Sequence, residues 1–512
     1  MNSLKENDRY ILNENYLLKF DQKRFELMPK CTNSLYQNYS DEDTPEDIFL
    51  SVHPMLALML YLFDGIRSVQ EIIETYSQIA GFNKEYIGTF VRNMIKELTM
   101  TQEGKYLKFG ENLFYLPKNL LLKNRNPQYR RNLTINDFLI PKDNLDLESM
   151  RSFIPSDCIM EINFNCFTDC VYCYADRRKD IATMPIEKIK EIIKEAKDLR
   201  MRGIDLSGGE VFLYENWELL IRELLENDFT PYISTKVPLN ETTIKKLKDL
   251  GLKGIQISLD SLQKEELKPI LHVSDDYLPR MIKTIEALDR EGIKIATNSQ
   301  ITTINEGMHR IKELFDFLVK LDNIKSIRFG AVGYSLYQTK NNFEKISISI
   351  EKILKIEELI TEYKDKYPGI SISFSGYTEE SSVICDKKEK EKNFIGRVRC
   401  SGNFYAFVIL PDGKVTICEQ LYYHPRFIIG DLQKQTIKEI WNSEKALSLY
   451  NLSRESVREA SACRTCEQFN PCHKNKGICW RNILIAYGHE NWDFPDPACP
   501  ESPMPFNRYW NK

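Results

Sequence analysis

A chain of 512 residues is too long for a single hydrophobic core and implies two to four domains. Hydrophobic residues at 42% and charged residues at 28% describe a globular protein, not a disordered or collagen-like one, and a net charge of −4 argues against a surface built to hold a polyanion such as nucleic acid. The apolar run Met55–Phe63 falls well short of the ~20 residues that span a bilayer, and the first residues have neither an apolar core nor a small-residue cleavage site, so a cytoplasmic protein with no membrane partner is expected.

In chain order, residues 1–118 read as a small separate domain. Tyr10–Leu12, Tyr16–Phe20, Tyr106–Phe109 and Leu113–Leu116 are aromatic and alternating, as short strands are. His53–Phe63 and Val69–Tyr76 read as helices, the second opened by a Ser68/Glu71 capping box. A third helix over Asn83–Leu98 carries a stripe of Tyr86, Phe90, Val91, Met94, Ile95 and Leu98. The set predicts a winged-helix-like module. Residues 119–155, with Lys123–Arg131 and little periodicity, read as a linker.

From residue 156 to 380, short apolar runs alternate with amphipathic helices. Strands are expected at Ile159–Phe164, Gly203–Leu206, Thr230–Ile233, Gly254–Ser258, Ile293–Thr297, Ser326–Phe329 and Ser371–Phe374. A helix opening at Pro185 carries Ile186, Ile189, Ile193, Ala196 and Leu199 on one face. This α/β alternation predicts a parallel sheet, open or closed into a barrel. The charge run Asp386–Lys392 reads as a solvated face or linker, and a cysteine-rich domain completes 381–512.

Thirteen cysteines in a chain without an export signal point to metal or catalysis in preference to disulfides. Three form Cys166-Phe-Thr-Asp-Cys170-Val-Tyr-Cys173, directly after the first strand of the alternating region. Their spacing is compatible with one face of a helix and so with simple packing. It also suits three thiolates on a loop holding a [4Fe–4S] cluster with one iron open, while a structural zinc site wants a fourth local ligand. Seven more lie at Cys400, Cys418, Cys463, Cys466, Cys472, Cys479 and Cys499, too few to fill two four-cysteine zinc ribbons.

The chain resembles the radical S-adenosylmethionine (SAM) enzymes, whose signature is Cys-x3-Cys-x2-Cys with an aromatic, here Tyr172, before the last cysteine. Ser207-Gly208-Gly209-Glu210 resembles the family's Gly-Gly-Glu motif, and Ser234, Ser258 and Asp260 match positions that contact SAM there; Arg328 is a further candidate contact, with an ordinary surface ion-pair partner as the alternative. The resemblance implies a partial (β/α)6 barrel. It also implies reductive cleavage of SAM by a cluster on Cys166, Cys170 and Cys173, giving a 5′-deoxyadenosyl radical that takes a hydrogen atom from substrate. A low-potential donor such as flavodoxin or ferredoxin would supply the electron.

The C-terminal cysteines resemble the SPASM extension, which implies two auxiliary [4Fe–4S] clusters and three in all. Cys400, Cys418 and Cys479 would hold one, and Cys463, Cys466, Cys472 and Cys499 the other. The family usually has three residues before the equivalent of Cys479 where this chain has six. Three cysteines leave one iron open unless Cys385 or a non-cysteine group fills it, and an open iron can take a substrate thiolate. The N-terminal module resembles the recognition element, PqqD-like, of enzymes that modify ribosomally made peptides, where a leader peptide adds as a strand to a sheet edge. The combined resemblance implies a precursor-peptide maturase forming thioether cross-links from Cys sulfur to carbon. Carbon–carbon cross-linking or epimerisation of a peptide is the near alternative, and a zinc-binding or DNA-binding protein the distant one.

Overall fold

The structure, a computed structural model, describes residues 5–37, 44–99, 103–109, 112–123, 125, 133–176, 181–375, 383–384 and 386–507. It divides into two compact units, Met1–Ile154 and Pro155–Lys512. Arg177, Arg178 and Cys385 lie outside the described residues, as does most of Lys123–Arg131.

In the first unit, strands β1 (Arg9–Leu12), β2 (Tyr16–Phe20), β3 (Phe25–Pro29) and β4 (Leu50–Val52) precede α1 (Pro54–Leu62), β5 (Asp64–Ser68), α2 (Val69–Ala80) and α3 (Lys84–Leu98); β6 (Lys105–Phe109), β7 (Asn112–Leu116) and β8 (Leu121–Lys123) follow. They form the sheets β5–β1–β8 and β2–β3–β4 and the hairpin β6–β7. Helix α1 is apolar on nearly every side and is accordingly buried, with the His53 ring accepting from the Met55 N–H at its start. The Ser68/Glu71 capping box opens α2, and Gly81, at φ 71°, closes it in the left-handed conformation glycine tolerates. The buried stripe of α3 is turned from the expected one: Ile87 and Gly88 join Val91, Met94, Ile95 and Leu98 inside, while Tyr86 is exposed. Two of its cations are already paired, Lys84 with Glu74 at 2.5 Å and Arg92 with Glu6 at 2.7 Å.

The stretch read as a linker is built into this unit. Strand β8 pairs with β1, and Leu133 and Phe138 enter the core, with Phe138 stacked on Phe25 at 4.6 Å. The β2–β3 hairpin buries Lys19, Asp21, Arg24 and Glu26, which clamp the end of the stretch: Asp21 accepts from the Ile154 N–H at 2.7 Å, Lys19 donates to the Ile154 carbonyl at 2.6 Å and Arg24 to that of Arg151 at 3.0 Å. Such contacts are long-range and leave no periodicity in the stretch they hold.

The second unit opens with β9 (Asp157–Glu161), α4 (Ile186–Asp198), β10 (Gly203–Ser207), α5 (Trp217–Glu226), β11 (Ser234–Thr235), α6 (Glu241–Asp249) and β12 (Gly254–Ile257). It continues through α7 (Lys264–Leu271), α8 (Tyr277–Arg290), β13 (Lys294–Ile301), α9 (Met308–Leu318), β14 (Ile324–Ala331), α10 (Lys340–Ile346), α11 (Ile350–Lys366) and β15 (Ser371–Ser375). Strands β11 to β15 pair in parallel in sequence order, β9 pairs in parallel with β10, and the Leu206 N–H joins the two sheets by donating to the Tyr232 carbonyl at 3.1 Å. The strand expected at Thr230–Ile233 forms instead at Ser234–Thr235. Pro231 has no N–H to give, and that of Tyr232 goes to the Asp205 carboxylate at 2.8 Å.

Register sorts the barrel strands. Ile255, Ile257, Ile295, Ile327 and Phe329 are buried on one face, while Ser234, Gln256, Ser258, Asn298, Arg328 and Ser373 share the other. The inner wall is therefore polar and the outer wall, toward the helices, apolar.

The remainder holds β16 (Val383–Ile384), α12 (Lys387–Gly396), β17 (Ala406–Ile409), β18 (Lys414–Thr416), β19 (Ile428–Asp431) and β20 (Phe506–Asn507). Strand β17 pairs in parallel with β9, and β18 and β19 extend the sheet antiparallel. The charge run read as a linker is mostly helix: α12, capped by Asp386, buries Lys390, whose ammonium donates to the carbonyls of Ser502, at 3.0 Å, and Met504. Among the described residues no helix is long and apolar enough to cross a membrane.

Candidate active site

The three cysteines after β9 sit on an irregular loop, so the helix-face alternative does not apply. The loop hangs on the end of α7: the N–H groups of Asp169 and Val171 donate to the carbonyls of Leu271 and Ile270, both at 2.9 Å. Cys166 is exposed, Cys170 buried and Cys173 half-buried, with the Cys173 N–H on the Cys170 carbonyl at 3.1 Å. Burial raises the Cys170 thiol, while the Lys236 ammonium and the Thr168 hydroxyl pull it back.

Gly208 and Gly209 lie against this loop. A Cβ on Gly208, at φ 121°, would sit 2.4 Å from the Asn163 carbonyl oxygen, and one on Gly209 would sit 2.2 Å from that of Asn165. Only glycine fits a backbone approach this close. Asn163 ties the corner together, accepting from the N–H of Asn165 at 2.9 Å and donating to the Glu210 carbonyl at 3.0 Å. Glu210 is buried and accepts from the Thr235 hydroxyl at 2.8 Å and the Lys236 N–H at 3.2 Å, joining the end of β10 to that of β11. Burial raises its carboxyl despite these donors.

Asp260 organises the opposite side. It accepts from the Tyr172 hydroxyl and from the Gln300 N–H at 2.8 Å, and faces the Lys236 ammonium at 3.6 Å. That ammonium lies 5.4 Å from the center of the Tyr172 ring. Burial, reinforced by Asp260, holds the Tyr172 phenol well above its usual range and so protonated. Ser258 accepts from the Gln256 amide at 2.7 Å, and Ser234 and Arg328 share its inner face. Arg328 is exposed there, within electrostatic reach of Tyr232. Asn163 and Lys236 belong to no recognised pattern, although Asn163 stands three residues before Cys166 and Lys236 two after Ser234.

A second group, also without sequence signal, lies on the β9–β17 side. Glu161 ends β9 fully buried, its Oε2 without a hydrogen-bond partner among the described residues. Burial pushes its carboxyl well up, and the Glu419 and Asp176 carboxylates add to the shift. Glu419 follows Cys418, and it raises Tyr174, which follows Cys173. Glu161, Glu419 and Tyr174 are thus pushed toward their neutral forms, the two acids chiefly by burial and Tyr174 chiefly by the Glu419 charge.

The C-terminal cysteines fall into two neighbourhoods. Cys400, Cys418 and Cys479 line one cavity of about 150 Å³ with His473 and Arg481. Burial raises the Cys418 thiol, and Cys479 and Cys400 raise it further. Burial pushes Cys463 up to about 12, with Cys499, Cys472 and Cys466 reinforcing it. The six-residue stretch before Cys479 is ordered: a π-helical turn over Cys472–Lys476 and Gly477 at φ 70° bring Cys479 onto the cavity. A Cβ on Gly477 would lie 2.9 Å from the Phe404 ring. Asp496, buried between the neighbourhoods, accepts from the N–H groups of Cys479 at 2.9 Å and Ala498 at 3.0 Å. The structure places no disulfide among the twelve described cysteines. Among the described residues no three His, Cys, Asp or Glu side chains are spaced to grip a single metal ion. Thiols set around a volume, in glycine-lined surroundings, fit a multi-iron cluster that takes one thiolate per iron.

A half-barrel with a three-cysteine loop at the strand ends, followed by a second cysteine-rich sheet region, defines the class. Residues 160–318 match the radical SAM superfamily and residues 400–467 the SPASM iron–sulfur cluster-binding domain. Streptococcus suis SuiB bound to S-adenosylmethionine superposes with a TM-score of 0.64 at 16% identity, covering 96% of this chain and 99% of that one. SuiB bound to its precursor peptide SuiA gives 0.63. The PqqA peptide cyclase of Rhizobium meliloti is 22% identical over 358 residues, 68% of this chain and 88% of that protein. A probable GTP 3′,8-cyclase of Sulfurisphaera tokodaii is 26% identical over 285 residues, 55% of this chain and 83% of that protein. The chain carries a radical SAM barrel joined to a SPASM iron–sulfur domain.

Proposed function

We propose that this chain is a cytoplasmic maturase of ribosomally made precursor peptides that joins a peptide Cys sulfur to a carbon of another residue. The observation that carries the reading is the seating of the Cys166–Cys173 loop against the Gly208–Gly209 corner, at the mouth of a polar-walled half-barrel, with Tyr174 within electrostatic reach of both Cys173 and Cys418. Likeness along nearly the whole chain to a protein solved with its precursor peptide supports a peptide substrate.

On this reading Cys166, Cys170 and Cys173 hold the first [4Fe–4S] cluster, Cys400, Cys418 and Cys479 the second, and Cys463, Cys466, Cys472 and Cys499 the third. SAM with its cluster supplies, when bound, the power to take a hydrogen atom from an unactivated carbon. The chain's own residues position and shield. The backbone of Gly208 and Gly209 receives the amino-acid end of SAM, and Glu210, held by Thr235 and Lys236, orients it. Asp260, Ser234, Ser258 and Arg328 line the nucleoside side, and Tyr172, locked to Asp260, closes the cluster loop. In the first unit β4 is a sheet edge, pairing with β3 among the described residues, and it offers the leader peptide a strand to extend. The paired cations of α3 disfavour the DNA-binding alternative.

Protein prepared without oxygen should contain about twelve irons and release 5′-deoxyadenosine when given a low-potential donor such as flavodoxin. Co-expressed with its Cys-containing precursor, it should remove two hydrogens per cross-link by mass spectrometry. Zinc in place of iron, or no nucleoside release, would end the proposal. Likeness to the PqqA peptide cyclase favours a second reading, cyclisation through a different bond; cross-linked product with its thiol still alkylatable would select it.

A further inference from the structure

Helix α12 and the residues after it run across the second group of auxiliary cysteines like a clip. Lys390 is bound to the carbonyls of Ser502 and Met504, just beyond Cys499. At the other end Arg399 donates to the Asn475 carbonyl at 3.0 Å, and the Lys476 ammonium to the Arg397 carbonyl at 3.3 Å, just beyond Cys472. Between these anchors Arg397 turns inward. Its guanidinium lies 3.5 Å from the center of the Phe394 ring, and one amino group donates both to the Gly477 carbonyl at 2.9 Å and to Cys472 Sγ at 3.6 Å. Its Nε is buried and has no hydrogen-bond partner among the described residues. A guanidinium has five donors and does not deprotonate in proteins, so a fixed positive charge and a spare donor stand against this sulfur group. The Cys400, Cys418 and Cys479 group has backbone donors from Gly402, Gln420 and Asn482, and the Arg481 guanidinium in its cavity acts on Cys479.

We infer that Arg397 is a positioning residue that sets the reduction potential of the cluster held by Cys463, Cys466, Cys472 and Cys499. The inference rests on the proposed function, because it presumes that cluster. Adding an electron makes a thiolate-ligated cluster more negative. A neighbouring guanidinium favours that state, and an N–H donated to the ligand sulfur withdraws electron density in the same direction. Arg397 therefore raises the potential of this cluster above the value it would have without the guanidinium. Phe394 on one side and the Gly477 carbonyl on the other fix the plane of the fork, so the effect belongs to this geometry and not merely to nearby positive charge.

The test is potentiometric titration of the full chain, reconstituted without oxygen, followed by electron paramagnetic resonance with iron and sulfide measured in each sample. In R397Q one cluster should titrate at a more negative potential than in the unmodified protein, with the other two unmoved. R397K should fall between, and K392Q, which removes a charge from the exposed side of α12, should match the parent. Loss of four irons in R397Q but not in R397K would also support a charge requirement at this sulfur group. Unshifted potentials in R397Q, an equal shift in K392Q, or loss of iron in both Arg397 variants would overturn the inference while leaving the enzyme reading intact. Parent protein that binds no auxiliary iron would overturn both.

Discussion

Gly209→Ala tests the cofactor corner with one added carbon. The new Cβ would stand 2.2 Å from the Asn165 carbonyl oxygen, 2.6 Å from the Asn165 carbonyl carbon and 2.7 Å from that of Phe164. All three are backbone atoms, so no side-chain rotation relieves the clash, and the corner and the loop must part by about 1 Å. Overpacking of this kind costs roughly 1–3 kcal/mol, and a displacement of about 1 Å at reacting groups lowers turnover on the order of 100-fold. Parting the strands also stretches the bond from the Gly209 N–H to the Asn163 carbonyl, now 2.6 Å, and lifts the start of the Cys166 loop. The assay is the initial rate of 5′-deoxyadenosine release at saturating SAM, beside iron content, SAM affinity and thermal denaturation. Expected are near-normal iron, weakened SAM binding and a rate lowered about 100-fold. Gly251→Ala is the control: at φ 90° with no atom within 4 Å of the new Cβ, it carries only the left-handed strain of about 1–2 kcal/mol and should lower Tm without changing the rate. A G209A protein with parental rate and SAM affinity would refute the close-approach argument.

Replacing Cys166, Cys170 and Cys173 together with Ala should remove about four of twelve irons and abolish nucleoside release; retained release would contradict the assignment of the loop. Burial raises the Asp205 carboxyl from 3.8 to about 6. The folded chain therefore keeps a proton that the unfolded chain loses, and stability falls as pH rises from about 4 to 6. Asp205→Asn, which still accepts from the Tyr232 N–H, should escape that fall and be more stable by roughly 1–3 kcal/mol at pH 7; parallel stability–pH curves would refute it. Lys390→Met leaves two buried carbonyls unmatched and should lower Tm by several degrees, with hydrogen exchange speeding up around Ser502–Met504. Ser68→Ala removes the α2 cap and should cost about 1 kcal/mol in chemical denaturation, with no effect on iron content.

What was legible in the chain followed how local the physics is. The α2 cap, the amphipathic face of α4 and the glycine corner are decided within a few residues, and each stands where its pattern predicts. The turned stripe of α3 is a marginal case, because Tyr86 and Ile87 are both apolar and only packing against a partner selects Ile87. Long-range pairings left no trace. Strand β8 is three residues without alternation, visible only once β1 lies beside it, and Lys390 in a run of charges is indistinguishable from its neighbours until two carbonyls from more than a hundred residues away meet it. The same holds within the site: the cysteines announce themselves by spacing, whereas Asn163, Lys236 and Glu161 matter through contacts with Glu210, Asp260 and Glu419, each from another strand or loop.

Strand β9 gives the two cysteine regions a common frame. Asp157 is opposite Gly203 on β10 and Ala406 on β17 at once, so the loop carrying Cys166 and the hairpin region bracketed by Cys400 and Cys418 are registered on one backbone ladder. Sliding either requires breaking several inter-strand bonds together, and a slip of one residue would invert every side chain on the moving strand. The C-terminal end of β9 also fixes what lies between the regions. Glu161 closes the strand on its inner face, buried, and the carboxylate that follows Cys418 adds to the upward push that burial gives it. A ladder that positions both thiol groups therefore positions buried acids between them as well. A carboxyl buried there is pushed toward its neutral form, and a neighbouring positive charge or a bound polar group that repays the burial would favour the carboxylate.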